Sequence, residues 1–575
     1  MPAVKAGLLW ASCDMAWAES PETVTRLDPL VVTATSRAQR AEEAPASLSV
    51  VAGETLRQRP VRDLADAVQD VPGVDVTDAG LGRKGISIRG MQSDHTLVLV
   101  DGMRINNSAS AIAHSDYELG WVPAEAIERV EVVRGPLSSL YGSEALGGVV
   151  NVITRKATDR WQGSVSAAGV MTDHGRGGDQ RHLSGYAGGP LIPGVLGLSV
   201  WGEFQDQSEL RSADDGRVSS LDDRDARSGN ATLTWTPDER QRVDVGFGTS
   251  FEDRWHDTQN TGSVAGYYRS EDDVRRQRIS VTHAGEWTWG DSRVRLYRSV
   301  LDRINRRDDD TAASGPHKFI DTVGDGQLSF APDEIHQVTL GGEVRRERLE
   351  DPTVNARGRA EQTHYAAFAQ DEIILGERWA LTLGSRLDQH EEFGTELSPR
   401  AYLLYHATDA LTFKGGVGSG FKAPTLKQLS PDYAARAGGG RFTIVGNPDL
   451  EPEKSVSFEA GFEYRRGIWS ARTMAFQNEV DDLIQSVCRL DCERPVGATW
   501  SYENVDKARI RGVELGGGVE LMRGVNVDAN YTYSAVILAL IGASITFFVL
   551  TVRRRWLLEE LRAYERSRER NDALS

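Results

Sequence analysis

The chain has 575 residues and a formal net charge of −18, from 66 Lys and Arg against 84 Asp and Glu. An acidic balance of this size excludes a nucleic-acid partner, which would need a basic face to neutralise phosphates. The length exceeds one ordinary core of roughly 100–200 residues but is within reach of a single large barrel. A hydrophobic content of 39% with 58 glycines fits either a soluble protein or a membrane β-barrel, because lumen-facing residues make such barrels read as polar.

In chain order, residues 1–18 read as a secretory signal: Lys5 gives a thin positive region, residues 6–11 an apolar run, and Ala16-Trp17-Ala18 a small-x-small cleavage site. Residues 27–44 are polar except for Leu30, Val31, Val32, Thr33, Ala34 and Thr35. A β-branched run of this kind suits strand addition to the sheet edge of another protein, or forms an ordinary short strand. Apolar residues at Val61, Leu64, Ala65, Val68 and Val71 have a helical period, and Pro72-Gly73 supplies the stop. Segments 85–89, 96–100 and 127–133 then alternate or run apolar over strand lengths, with Asp101-Gly102 as a turn signal. Residues 45–158 therefore predict a compact α+β domain.

Gly80-Leu81-Gly82-Arg83-Lys84-Gly85 matches the dinucleotide-binding pattern literally. That chemistry needs a buried strand before the loop and a helix after it. Residues 75–79 are too polar for such a strand, and Ile86-Ser87-Ile88-Arg89 reads as a strand where the helix should begin. The segment is a glycine-rich loop. No grouping of nucleophile, base and orienting residue points to an enzyme.

From about Gly163 the pattern changes to recurring alternation, clearest in Val456, Phe458, Ala460, Phe462 and Tyr464 and again in Val513, Leu515, Gly517, Val519 and Leu521. Strands of about 10 residues with one lipid face and one wet face produce it. So many segments without a crossover helix fit one large barrel better than several sandwiches. Cys488 and Cys492 in CRLDC either close a small loop disulfide or remain free thiols; the third cysteine is Cys13. As a zinc site the pair is incomplete, so no metal site is expected.

The runs ISIRG, TLVLVDG and RGPLSSLYGSEALGG, followed by GFKAPTL, GNPDLEPE and VDKARIRGVE, resemble the TonB-dependent outer-membrane receptors, within them the colicin I receptor group of ferric-catecholate siderophore receptors. The resemblance implies an α+β plug inside a large antiparallel transmembrane β-barrel, 22-stranded in the family. It implies outer-membrane location, TonB as energising partner, a ferric siderophore as transported ligand without cofactor, and colicin as a further partner. On this reading residues 30–35 are the TonB box, 45–158 the plug and 159–533 an incomplete barrel. Arg89 and Arg134 would pair with barrel glutamates. A bulky anion with aromatic faces calls for cations and stacking rings, which makes Arg83, Lys84 and Arg104 of the plug and Tyr433, Arg436 and Arg441 of the loops its candidate contacts. Haem receptors carry similar boxes, usually with a histidine between them, and none occurs from Phe421 to Asn447.

The end of the chain departs from this pattern. Residues 535–552 carry no charge and precede Arg553-Arg554-Arg555, which predicts one transmembrane helix with a cytoplasmic C-terminus. Residues 553–575 read as a charged helical tail. Helix and tail together loosely resemble haem exporter protein D. The alternative to an importing receptor is thus a fused or truncated product anchored in the inner membrane with little transport activity, and a further alternative is import of haem or another ligand.

Overall fold

The computed structural model describes residues 30–538 apart from 36, 106–115, 173–174, 176, 261–265, 310–312, 438–440, 495, 506 and 523–524, together with 548–549. The signal and tail readings, over 1–18 and 553–575, fall outside the described residues.

The N-terminal part contains strands β1 (Leu30–Val31), β2 (Gln39–Arg40), β3 (Ser47–Ala52), β4 (Val74–Asp78), β5 (Lys84–Ile88), β6 (Thr96–Val100), β7 (Met103–Arg104), β8 (Ile127–Arg134) and β9 (Gly148–Thr154). Its main sheet has the order β3-β8-β9-β6-β7, with β6 and β9 parallel. Both faces are covered, as the near-continuous apolar runs require. Val130, Val132, Val150 and Val152 pack on one side with Val68 and Ile88. Leu97, Leu99, Val133 and Val149 pack on the other with Leu48 and Leu140. Each such side chain contributes about 1.5–3 kcal/mol by leaving water.

The predicted helix over 61–71 is realised as the shorter α1 (Leu64–Val68), whose first turn is capped by the Asp63 carboxylate accepting from the Asp66 amide at 2.9 Å. The glycine-rich loop joins β4 to β5 as an antiparallel hairpin, so no helix follows it and the dinucleotide reading fails on geometry. Residues 75–79, read as too polar for the buried strand a dinucleotide site needs, are mostly exposed; residues 74–78 form the hairpin strand β4. Pairing to β5 supplies the strand there, and most β4 side chains stay exposed.

Beyond the plug, an antiparallel sheet of 18 strands among the described residues runs from Gln162–Val170 to Phe548–Val549. Its outer face carries Leu183, Phe247, Ile279, Leu383, Phe458 and Leu515, all exposed, at positions alternating with buried polar ones. The inner face is rich in arginine, with Arg276, Arg278, Arg345, Arg386 and Arg400 buried. An apolar outside and a polar inside is the signature of a membrane barrel. Trp235, Trp287, Trp289, Trp379 and Trp469 are exposed at the short-turn ends of their strands, where an aromatic girdle marks the membrane boundary. Long connections lie at the opposite end, and two of them together form a four-stranded sheet containing Ala434–Ala437 and Phe442–Val445 from one and Leu483–Leu490 and Ala498–Val505 from the other.

The described part of the segment expected to be a transmembrane helix over 535–552, namely 535–538 and 548–549, is strand; the rest lies outside the described residues. The last long strand is Val525–Leu538, and Ala535 pairs with Arg511 and Leu538 with Ala508. Phe548 and Val549 pair back onto Ile537 and Val536. The physical reason at 535–538 is register: the pairing of the preceding strand carries on into these residues, where Val536 and Ile537 suit a pleated sheet as well as a helix. No described helix is long and apolar enough to cross a membrane. The strand also faces the plug, since Thr532 Oγ1 accepts from the Gly73 amide at 2.9 Å and Asn530 donates to the Asp70 carbonyl at 2.8 Å. The barrel thus continues past 533.

Candidate functional site

Arg89 closes β5 in the left-handed region, at φ 54, a conformation uncommon for a residue with a side chain. This bend turns its guanidinium out of the plug into the barrel wall. There Arg89 Nε donates to Glu514 Oε1 at 2.7 Å, Nη1 donates to Glu459 Oε2 at 2.6 Å, and the group lies 4.5 Å from the Phe476 ring centre. Burial alone would push the arginine down, but Glu514 and Glu459 outweigh it and hold its pKa above the ordinary value. Arg134, at the end of β8, reaches the same Glu514 at 3.1 Å and donates to Ser49 Oγ at 2.7 Å. Gly73 makes room for this cluster: at its φ of 76, a Cβ would stand 2.3 Å from Glu514 Oε1.

The seam continues along the barrel. In a 3₁₀ turn, Ser93–His95, Asp94 meets Lys422 at 2.5 Å and His95 Nε2 lies 2.5 Å from Glu453 Oε2. Next to it, α2 (Ser138–Tyr141) begins the run that touches the strand ending at Lys422: Ser138 Oγ accepts from the Phe421 amide at 3.3 Å and Ser143 Oγ from the Ala423 amide at 3.0 Å. Sequence reasoning placed Arg89 and Arg134 opposite unspecified glutamates. It missed His95, Asp94, Lys422, Glu453, Glu459 and Glu514 as their neighbours. The signal was present, because Lys422 lies in GFKAPTL, Glu453 in GNPDLEPE and Glu514 in VDKARIRGVE.

At the short-turn end, residues 30–35 are tucked against the plug. Glu131, itself fully buried, accepts from the Val32 and Thr33 amides at 3.0 and 2.9 Å and from Thr33 Oγ1 at 2.6 Å. Tyr141 Oη donates to the Thr33 carbonyl at 3.0 Å, and Arg400 Nη1 to the Ala34 carbonyl at 3.3 Å. Strand β1 contributes only two residue pairs with β2. The segment is thus held by one carboxylate, a few side-chain bonds and the burial of Val31 and Ala34 in the plug core.

The six candidate ligand residues fall into different surroundings. Arg83 is ion-paired with Asp222 at 2.8 Å, and Lys84 with Asp63 at 2.9 Å and Asp66 at 2.5 Å. Arg104 is buried, with its guanidinium on the Ser143 carbonyl at 3.1 Å and its carboxylate partner Glu144 at 3.5 Å. Tyr433 is buried with the Lys427 ammonium 5.8 Å from its ring, whereas Arg436 and Arg441 are exposed on the long-loop sheet. A cavity of about 180 Å³ at the long-loop end is lined by the cations Arg62, Lys84, Arg181, Arg224 and Arg254 and by the carboxylates of Asp63, Asp116, Asp206 and Asp222. Cys488 and Cys492 are joined in the same long-loop sheet, with Cα atoms 5.8 Å apart.

Residues 40–149 match the TonB-dependent receptor plug domain, and residues 176–555 match the TonB-dependent receptor-like β-barrel. The chain belongs to the TonB-dependent receptor family. The barrel match runs through the segment expected to be a transmembrane helix, in agreement with the strand found there, and nothing supports an inner-membrane product. An iron-regulated outer membrane virulence protein of Vibrio cholerae is 35% identical to the receptor over 88% of this chain and 78% of the relative. The ferric enterobactin receptor PirA of Pseudomonas aeruginosa is 30% identical over 90% and 78%. Among solved structures, the siderophore receptor PirA from Pseudomonas aeruginosa superposes with a TM-score of 0.72 at 28% identity, covering 86% of this receptor and 88% of that chain. The ferric enterobactin receptor PfeA gives 0.75 at 25% identity, covering 87% and 85%. The family consists of outer-membrane receptors and transporters that work with TonB, not of enzymes, and receptors for ferric siderophores are among its members.

Proposed function

We propose that this receptor imports a ferric catecholate siderophore across the outer membrane, with residues 30–35 as the TonB box. The observation that carries the reading is the seam: a plug with its own apolar core is held in the barrel by Arg89, Arg134, Glu459 and Glu514. Ion pairs of this kind can be exchanged for others without unfolding either partner, whereas apolar interlocking cannot. The long-loop cavity carries Arg62, Lys84, Arg181, Arg224 and Arg254 against Asp63, Asp116, Asp206 and Asp222, and this small surplus of positive charge supports an anionic ligand. The names of the enterobactin-binding relatives point the same way. Arg83, Lys84, Arg436, Arg441 and Tyr433 are proposed as ligand contacts that exchange internal partners for the chelate, and Arg104 as a support deeper in the plug. Neither haem import nor colicin capture forms part of this reading. The test is uptake of radiolabelled ferric enterobactin by cells whose only catecholate receptor is this chain. Uptake that requires both the receptor and energised TonB is expected; iron accumulation equal to that of receptor-free cells would overturn the proposal.

A further inference from the structure

A second cavity, of about 280 Å³, lies between the plug and the barrel wall at the opposite, short-turn end. Six cations line it: Arg129, Lys156, Arg242, Arg278, Arg293 and Arg295. Only two carboxylates do so, Asp101 and Asp244. Four of the cations are satisfied by ion pairs. Lys156 meets Asp101 at 2.9 Å, Arg242 meets Asp244 at 3.0 Å, Arg295 meets Asp325 at 2.8 Å and Arg129 meets Glu131 at 2.8 Å. Arg278 differs. It is 6% exposed, its Nη1 is buried without a hydrogen-bond partner, and the Trp121 ring 5.7 Å away is its recorded aromatic neighbour. Arg293 donates through Nη2 to Gln327 at 2.7 Å, but its Nε is buried without a partner.

A guanidinium does not shed its proton, so two arginines with unfilled donors in a confined space present positive charge that solvent does little to screen. We propose that this cavity is an inner anion site, a station that the imported chelate occupies after leaving the outer face and before release. The inference rests on the import reading for the identity of the anion, but not for the charge of the cavity. At its present size the cavity lies just below the common range for small-molecule sites, about 300–1,000 Å³, and suits one catecholate arm rather than a whole tris-catecholate. Val32 forms part of its lining. Withdrawal of the 30–35 segment therefore enlarges the cavity at the step when the chelate needs the room.

Two measurements test this. First, Thr282, which lines the cavity without charge, is replaced in the full-length receptor by Thr282→Cys. In detergent solution, a sulfonate-bearing methanethiosulfonate is expected to label it at least ten-fold faster than a trimethylammonium-bearing one, with the wild-type receptor as background. The preference is expected to shrink several-fold when Arg278→Gln is added. Equal rates, or faster labelling by the cation, would overturn the anion site whatever the receptor imports.

Second, in cells, Arg278→Gln is expected to leave energy-independent capture of ferric enterobactin within two-fold of wild type while slowing TonB-dependent uptake at least ten-fold, with Arg278→Lys keeping most of the rate. Unchanged uptake by Arg278→Gln, or a parallel fall in capture, would overturn the station. Where Arg278→Gln fails to assemble, labelling of Thr282→Cys on the otherwise intact receptor still decides. Wild-type cells that take up no ferric catecholate would count against the import reading, and the labelling ratio would then judge the anion site alone.

Discussion

Inside the plug, contact is made by side chains such as Val130, Val132, Leu99 and Val149, all at 0% exposure, whereas the plug meets the barrel through Arg89, Arg134, Glu459 and Glu514. The two regions are equally dry but chemically different, since the plug–barrel contact combines these ion pairs with small apolar patches such as Met91 and Leu146 against Phe476, Val480 and Ile510. Apolar packing gains stability from contact and tolerates little displacement, because each methylene lost leaves a void. Ion pairs gain little over water but lose heavily when one partner is missing, so they fix position and permit exchange. The plug is therefore built to keep its internal shape while its attachment changes.

The largest expected effect comes from unbalancing the seam. Glu514→Ala leaves Arg89 and Arg134 short of a partner, and a stranded buried charge costs about 3–5 kcal/mol. The plug is expected to become protease-sensitive in intact outer membranes and the cells permeable to large antibiotics; a plug as protected as wild type would break the comparison. Leu99→Ala should cost about 2–5 kcal/mol through its cavity, but inside the plug. Amide exchange is expected to quicken in β6 and β9 while the seam stays closed.

Next is Glu131→Gln, which replaces by a neutral group a carboxylate that accepts three hydrogen bonds from the 30–35 segment and one from Arg129, and should cost about 1–3 kcal/mol. A spin label on residue 30 is expected to become mobile without ligand and the purified receptor to capture TonB more tightly. The smallest effect is at Asp94. Burial raises its pKa, but the Lys422 ammonium and His95 outweigh burial and hold the carboxyl down at about 2. A depressed carboxylate contributes stability above its unfolded value of about 3.9 and loses it as pH falls through about 2. Asp94→Asn should therefore flatten the change in unfolding temperature between pH 4 and pH 2.

Much of this was legible in the residues. Period-2 alternation located β5, β6 and β8, the outward strand residues such as Phe458 and Leu515 were visible as the lipid face, and the arginines of ISIRG and RGPLSS stood out as charges in apolar strands. Three things were not legible. β4 is a hairpin strand because β5 pairs with it, whereas its polarity excludes only a buried strand. The uncharged run after residue 534 satisfies a hydropathy test for a helix, yet its first four residues are placed by pairing with residues 508–511. The candidate ligand cations looked free because Asp222 lies far along the chain from Arg83, and Lys84 finds its carboxylates in a neighbouring helix turn. Charge partners distant in sequence leave no local trace.

The way the 30–35 segment is fastened has a mechanical consequence. Its bonds to Glu131, Tyr141 and Arg400 fall on Val32, Thr33 and Ala34 in succession, and β1 adds just two paired residues beside them. A pull applied at the N-terminal side loads these bonds one after another, as in peeling, and not all together, as in shearing. The force needed is then set by the strongest single attachment, the Glu131 clip, and the much stiffer sheet behind it is reached only after the clip has opened.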